Sequence, residues 1–169
     1  MIGSPLYANY VGSDDPIALL AATPNHIAGL VNGWAATRWS QTYAPGKWTA
    51  GQIVLHLAQD EISWGSRVRL ALTLDEYVVQ PFDGPKWIAL EAPVEPDIAL
   101  SAYLALRRLD MPLYRRIPAD LRARPFRHPE FGEISVDWIL HTLAGHDLHH
   151  LAQLQVVADR SQSDERQAP

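Results

Sequence analysis

Apolar residues along this chain recur with the period of an α-helix. Ile53, Leu57, Trp64, Val68, Ala71 and Leu72 share one arc at 3.6 residues per turn, which predicts a helix running to about Asp75. Thr49 and Gln52 ahead of it have the spacing of a capping box, in which each side chain bonds the other's backbone amide. A second stripe, Ile139, Leu143, Leu154 and Val157, predicts a helix from a cap near Ser135 to about Asp159. Between them Ile98, Leu100, Ala102, Leu104, Ala105 and Leu109 mark a helix from about Asp97. Pro112 should end or kink it, and Pro118 closes the segment. Near the start, residues 1–13 read as an irregular arm, and Asp14 or Asp15 before Pro16 marks a helix start. A short helix then covers Ile17 to Ala22. Pro24 should interrupt it, with Thr23-Pro24 restarting a helix to about Trp39.

The pattern predicts an all-α protein, a four-helix bundle with long loops after helices 2 and 3. Those loops are residues 76–95, with Pro81, Gly84, Pro85 and Pro93, and residues 119–134. Loops of that length in compact domains are often functional. Tyr43 to Lys47 reads as a turn, and no strand pattern of useful length appears. One helical domain is expected over residues 1–160, with a polar, disordered tail over 161–169.

Charge narrows the partners. The chain has 169 residues, net charge −5 and no basic patch, so neither nucleic acid nor membrane is expected as a partner. Arg107-Arg108 and Arg115-Arg116 read as solvated helix surface. The absence of cysteine removes disulfides, thiolate ligands and a cysteine nucleophile, and fits a cytoplasmic setting.

Polar residues that interrupt apolar stripes are the candidates for chemistry. His146 and His150 lie on the inward side of the last helix, four apart and therefore stacked on one face. His56 holds a similar edge position beside Ile53 and Leu57. A buried imidazole without a partner costs roughly 1–3 kcal/mol. One metal ion would satisfy all three, and so would separate hydrogen bonds; the spacing leaves both open. His26, His128, His141 and His149 read as solvated or as supporting residues. Glu61 falls on an apolar arc, where it needs an ion-pair partner such as Arg38 or a role supporting a metal. Asp60, one turn after His56, could orient a ligand or face solvent, and Asp147 is equally open.

Five segments in order carry a family resemblance: Ala21 to Pro24; Pro45 to Thr49 followed by Leu55-His56-Leu57; Pro81-Phe82-Asp83 with Trp87; His128 to Gly132; and His146 to Gln153. Together they resemble the DinB superfamily, the DinB/YfiT-like metalloproteins, over nearly the whole chain. The resemblance implies a four-helix bundle of that type holding one divalent ion with His56, His146 and His150. The ion would be zinc, nickel or iron, since imidazole suits each. Gln59 departs from the pattern, because relatives often carry aspartate there. The implied function is metal-dependent chemistry on a small molecule, by thiol S-transfer or hydrolysis, with an open coordination position. The alternative is a non-catalytic metal-binding stress or structural protein. The expected partners are a small-molecule substrate, with a low-molecular-weight thiol among the candidates; a homodimer is compatible with the pattern. Asp60 and Glu61 are expected to support the ligands, and Trp87 to border the substrate pocket.

Overall fold

The computed structural model describes residues 2–167, with 161–167 as backbone only. Its order is α1 (Ala8–Val11), α2 (Pro16–Val31), α3 (Ala36–Trp39), α4 (Ala50–Thr73), α5 (Gly84–Glu91), α6 (Pro96–Arg116), α7 (Ala119–Ala123), β1 (Phe126–His128), β2 (Gly132–Ile134) and α8 (Val136–Gln167). The long helices α2, α4, α6 and α8 form the expected four-helix bundle: α4 packs on α6 and α8, and α2 packs on α8 and α6.

Caps set the helix starts as the sequence suggests. Asp15 accepts from the Ile17 amide with Pro16 in the first turn, the Thr49–Gln52 capping box is complete, and Ser135 Oγ accepts from the Trp138 amide. Four expectations are corrected. Pro24 does not split α2, which runs unbroken to Val31 and leaves Ala36–Trp39 as a separate turn. Pro24 has no amide hydrogen for the Leu20 carbonyl, and Arg107 Nη1 donates to that oxygen instead, at 2.9 Å. Pro112 likewise sits inside α6, which continues to Arg116. The expected loops carry structure of their own. The first holds α5, capped by Asp83, whose side chain accepts from the Lys86 amide; the second holds α7 and an antiparallel hairpin, with His128 paired to Gly132. The arm contains α1, opened by Tyr7 in the left-handed region at φ 57°. Beyond Asp159, α8 is helical in backbone to Gln167; the end of the expected tail, residues 168 and 169, lies outside the described residues.

The inward face of α6 is not its apolar arc. Ile98 and Leu109 are exposed, while Tyr103, Arg107, Asp110, Met111 and Tyr114 are buried. The core is accordingly two apolar clusters. One gathers Leu20, Trp64, Val68, Tyr114, Ile139 and Leu143; the other gathers Ile27, Ile53, Leu57, Tyr103, Leu154 and Val157. Along α4 and α8 the polar residues Gln59, Asp60 and Glu61, and His146, Asp147 and His150, fall between the members of the two clusters. No helix of the described residues is long and apolar enough to cross a membrane.

Candidate metal centre

Each residue of an α-helix is turned 100° from the last, so neighbours on an inward face can serve different partners. On α4, Asp60 turns to the histidines and Glu61 turns to α6. On α8, His146 and Asp147 divide in the same way. The result is two adjoining polar clusters.

In the first, α4 supplies His56 and α8 supplies His146 and His150, which are 7, 8 and 5% exposed. One nitrogen from each lies within 4.8 Å of the other two. His146 Nε2 is 2.9 Å from His150 Nε2 and 3.2 Å from His56 Nε2. Imidazole nitrogens held by one ion at about 2.0–2.1 Å stand roughly 2.9–3.4 Å apart at angles of 90–109°. The spacing therefore fits a metal ion.

The surroundings fix which nitrogens are bare. Asp60 Oδ2 lies 3.0 Å from His146 Nδ1, and Gln153 Oε1 lies 2.8 Å from His150 Nδ1. The Gln153 oxygen holds the His150 proton on Nδ1, and the charge of Asp60 favours the His146 proton on Nδ1 without an aligned hydrogen bond, so in the neutral rings the lone pairs of Nε2 face each other. Two lone pairs at that distance repel unless a cation lies between them. Burial pulls His56 down to about 4, and burial with the neighbouring imidazoles holds His150 well below its usual value. Burial also opposes a charge on His146, but Asp60 outweighs it and raises that residue. The raised His146 is the same demand for positive charge, met by a proton.

Gln153 extends this support outward, since its Nε2 lies 2.8 Å from His149 Nε2, and His149 Nδ1 lies 2.8 Å from Tyr10 Oη. Aromatic rings close the cluster from the sides. Trp48 lies 4.7 Å from His56, Phe82 stacks parallel to His56 at 6.1 Å, and Tyr7 meets His146 edge-on at 5.4 Å. Two residues lack side chains for steric reasons. A Cβ on Gly84 would come within 2.8 Å of His56 Cε1, and one on Gly145 within 2.5 Å of the Tyr7 carbonyl. A cavity of about 280 Å³ opens onto His56 and His146, between Trp48, Phe82 and Phe131. A second cleft reaches His150 beside Tyr43 and Lys47.

The second cluster is built on Arg107. This arginine, read from the sequence as solvated, is 2% exposed. Nε and Nη2 hold Glu61 at 2.9 and 2.5 Å, while Nη1 holds Asp147 at 2.9 Å and the Leu20 carbonyl. Tyr103 Oη adds a bond to Asp147 at 3.0 Å. The partner of Glu61 is therefore Arg107 and not Arg38, which lies over Trp34. Glu61 is spent on this pair and makes no hydrogen bond or ion pair to the three histidines, whereas Asp60 touches two of them. Gln59 faces away and donates to Glu91 at 3.0 Å.

Sequence reading missed several residues. Trp87, expected at the border of the pocket, lies edge-on to Phe82 at 4.9 Å, and on that side the cavity is lined by Pro81, Phe82, Gly84 and Pro85 of the same segment. His128, expected in solvent or as support, is buried in the cavity wall. Gln153 was findable, being three residues past His150 on one helix face. So was Arg107, which continues the spacing of Leu100 and Leu104. Arg67 likewise continues the spacing of Trp64 toward Ala71, whereas Tyr7 and Trp48 carried no periodic signal.

Known proteins share this arrangement of chain. A "Putative metal-dependent hydrolase" of Oceanobacillus iheyensis is 35% identical over 123 residues, 70% of each chain. A second of that name from the same organism is 30% identical over 138 residues, 78% of this chain and 77% of its own. YfiT from Bacillus subtilis, described as a probable metal-dependent hydrolase with an unusual four-helix bundle topology, superposes with a TM-score of 0.81 at 25% identity over 87% of this chain and 86% of its own. The mycothiol-dependent maleylpyruvate isomerase shares the fold at 15% identity, with a TM-score of 0.68 over 82% of this chain and 59% of its own. The sequence profile of the DinB superfamily matches residues 19–154, and the chain, with its helical bundle and its buried trio of histidines, belongs to that superfamily.

Proposed function

We propose that this protein is a metal-dependent enzyme acting on a small molecule, and that His56, His146 and His150 hold one divalent ion at the floor of the cavity. The observation that carries this reading is the convergence of three buried imidazole nitrogens, two of them Nε2 atoms 2.9 Å apart. When bound, such an ion supplies a Lewis acid that makes water or a thiol nucleophilic at neutral pH. Asp60 and Gln153 hold the rings in the ligating tautomer, and Phe82, Trp48 and Tyr7 screen them from bulk water. Among the described residues the group that converges on one point is the three histidines without a carboxylate or thiol; Asp60 Oδ2 lies 3.0 Å from the far nitrogen of His146 and 3.7 Å from His56 Nε2. An open position facing a cavity favours catalysis over a closed structural site.

Hydrolysis is the first reaction class, because relatives at 30–35% identity carry that name. Thiol S-transfer uses the same open position and is the second, as implied by the family resemblance. Metal analysis of the purified protein and of His56→Ala, His146→Ala and His150→Ala tests the centre. One equivalent of metal is expected in the parent, with loss in every variant; full occupancy in any variant removes that residue from the ligand set. Parallel screens of ester and amide hydrolysis, and of thiol addition to an electrophile, separate the two reactions. A loaded protein inert in both, with a fourth protein ligand on the ion, returns the protein to the non-catalytic reading.

A further inference from the structure

The cavity over the histidines has a second polar wall that metal binding leaves unused. Arg67 lies three turns beyond His56 on α4 and is 5% exposed. Its guanidinium lies over the Trp64 ring at 4.3 Å, and Nη2 donates to the Gln80 carbonyl at 2.9 Å. A guanidinium has five N–H donors. Among the described residues no carboxylate lies within ion-pair distance of this one. Arg107, equally buried, holds two carboxylates and a carbonyl. Arg67 is thus a buried positive charge with no carboxylate in contact; Asp60 and Glu130 act on it only through space, and it lines the cavity with His56 and His146.

His128 faces the same space. Its Nδ1 accepts from the backbone amides of Glu130 and Phe131 at 3.1 and 3.3 Å. The neutral ring therefore carries its proton on Nε2 and offers a donor. Burial, helped by the charge of Arg67, keeps the ring neutral. Two carboxylates share the wall. Asp60 pairs with His146 through Oδ2, its Oδ1 being buried without a hydrogen bond, and Glu130 is exposed. The rest of the lining is largely aromatic: Trp48, Trp64, Phe82 and Phe131.

We propose that Arg67 and His128 form an anion-recognition wall in this cavity, and that the molecule it admits is an organic carboxylate with an apolar body. This deepens the reading of the site as a metal-dependent enzyme and rests on it only for the reacting end, because carboxylate binding at Arg67 does not require the ion.

The test is calorimetric titration of the metal-loaded protein with benzoate and with benzamide, which match in shape and differ in charge. Benzoate is expected to bind about tenfold tighter or more, the worth of a charge-assisted bond in a screened site. Arg67→Gln should erase the preference, and Arg67→Lys should keep part of it. His128→Ala should weaken benzoate a few-fold and leave benzamide unchanged. His56→Ala, which removes a metal ligand, should leave the preference intact. Equal binding of the two probes by the parent overturns the proposal, as does a preference that survives in Arg67→Gln. A preference lost in His56→Ala but kept in Arg67→Gln would place the carboxylate on the ion and overturn it as well. If Arg67→Gln does not fold, the Arg67→Lys comparison and the parent's two affinities still decide. Failure of the metal reading shows separately, as unchanged metal content in the histidine variants.

Discussion

The histidine cluster and the Arg107 cluster are built on consecutive residues of α4 and α8, yet they meet the cost of burial in opposite ways. Around Arg107 the protein supplies the partners: one guanidinium is bonded by two carboxylates and a carbonyl, a tyrosine hydroxyl donates to one of those carboxylates, and Asp147 Oδ1 is left without a hydrogen bond. Around His146 it does not. Lone pairs face each other, and His56 Nδ1 and Asp60 Oδ1 are buried without partners. A polar cluster that carries its own cation ties helices together, whereas one of facing imidazole nitrogens has room for a cation from outside. The same bundle layer thus separates holding the fold from holding a ligand, by a rotation of one residue.

The sharpest way to break this contrast is Arg107→Met. It keeps much of the volume but leaves Glu61 and Asp147 without a counter-charge, and a loss of about 3–5 kcal/mol in unfolding free energy is expected from urea denaturation. Metal content per folded molecule should hold. A cost under about 1 kcal/mol would mean that the cluster is not what ties α6 to α4 and α8.

Asp60→Asn asks for the opposite result. Asparagine oxygen can still accept from His146 Nδ1, so the tautomer is kept while the charge goes. Metal affinity should fall roughly 10–100-fold, with little change in the stability of the metal-free protein at neutral pH. Competition titration with a chromophoric chelator measures it.

Acid should separate the clusters further. In metal-free protein His56 sits near 4 and His150 is depressed, against 6.5 when unfolded. The unfolded chain then binds more protons, so their contribution is present above pH 6.5 and is lost as pH falls toward 4. His146, raised by Asp60, has the opposite sign: its contribution is present below 6.5 and is lost as pH rises through its folded value. Unfolding free energies from urea titrations between pH 4 and 8 should show an acid-side loss of about 3 kcal/mol. His56→Ala should shrink that loss, and Asp60→Asn should shrink the alkaline one. Identical profiles for all three proteins would break the assignment.

The smallest effect is expected from Gly84→Ala. Its methyl must displace the His56 ring or the start of α5, weakening metal about three- to tenfold while stability changes by under roughly 1 kcal/mol. An unchanged metal affinity would show that α5 yields and His56 does not move.

Much of this was legible in the chain. The capping box, the Asp15-Pro16 start and the Ser135 cap are local chemistry that reads the same folded or unfolded. His56, His146 and His150 stood out because they broke apolar stripes. What did not read depended on contacts across the bundle. On α6 the inward face is Tyr103, Arg107, Asp110 and Tyr114, so the hydrophobic arc through Ile98 and Leu109 pointed the wrong way. Arg107 looked solvated because its partners come from three other helices. Trp48, Phe82 and Tyr7 reach the site from connections, where no periodicity marks an inward side.

Pro24 shows what a missing hydrogen can do for a fold. The Leu20 carbonyl, left free by it, is the one point among the described residues where α2 joins the Arg107 cluster by a hydrogen bond. That bond works as a keyway: it fixes both the rotation and the height of α2 against α6, which apolar packing alone would let slide. A protein engineer ranking residues by helix propensity would replace this proline first. Here the improved helix would close its own ladder over the keyway, and the arginine would have to share the oxygen that aligns the bundle.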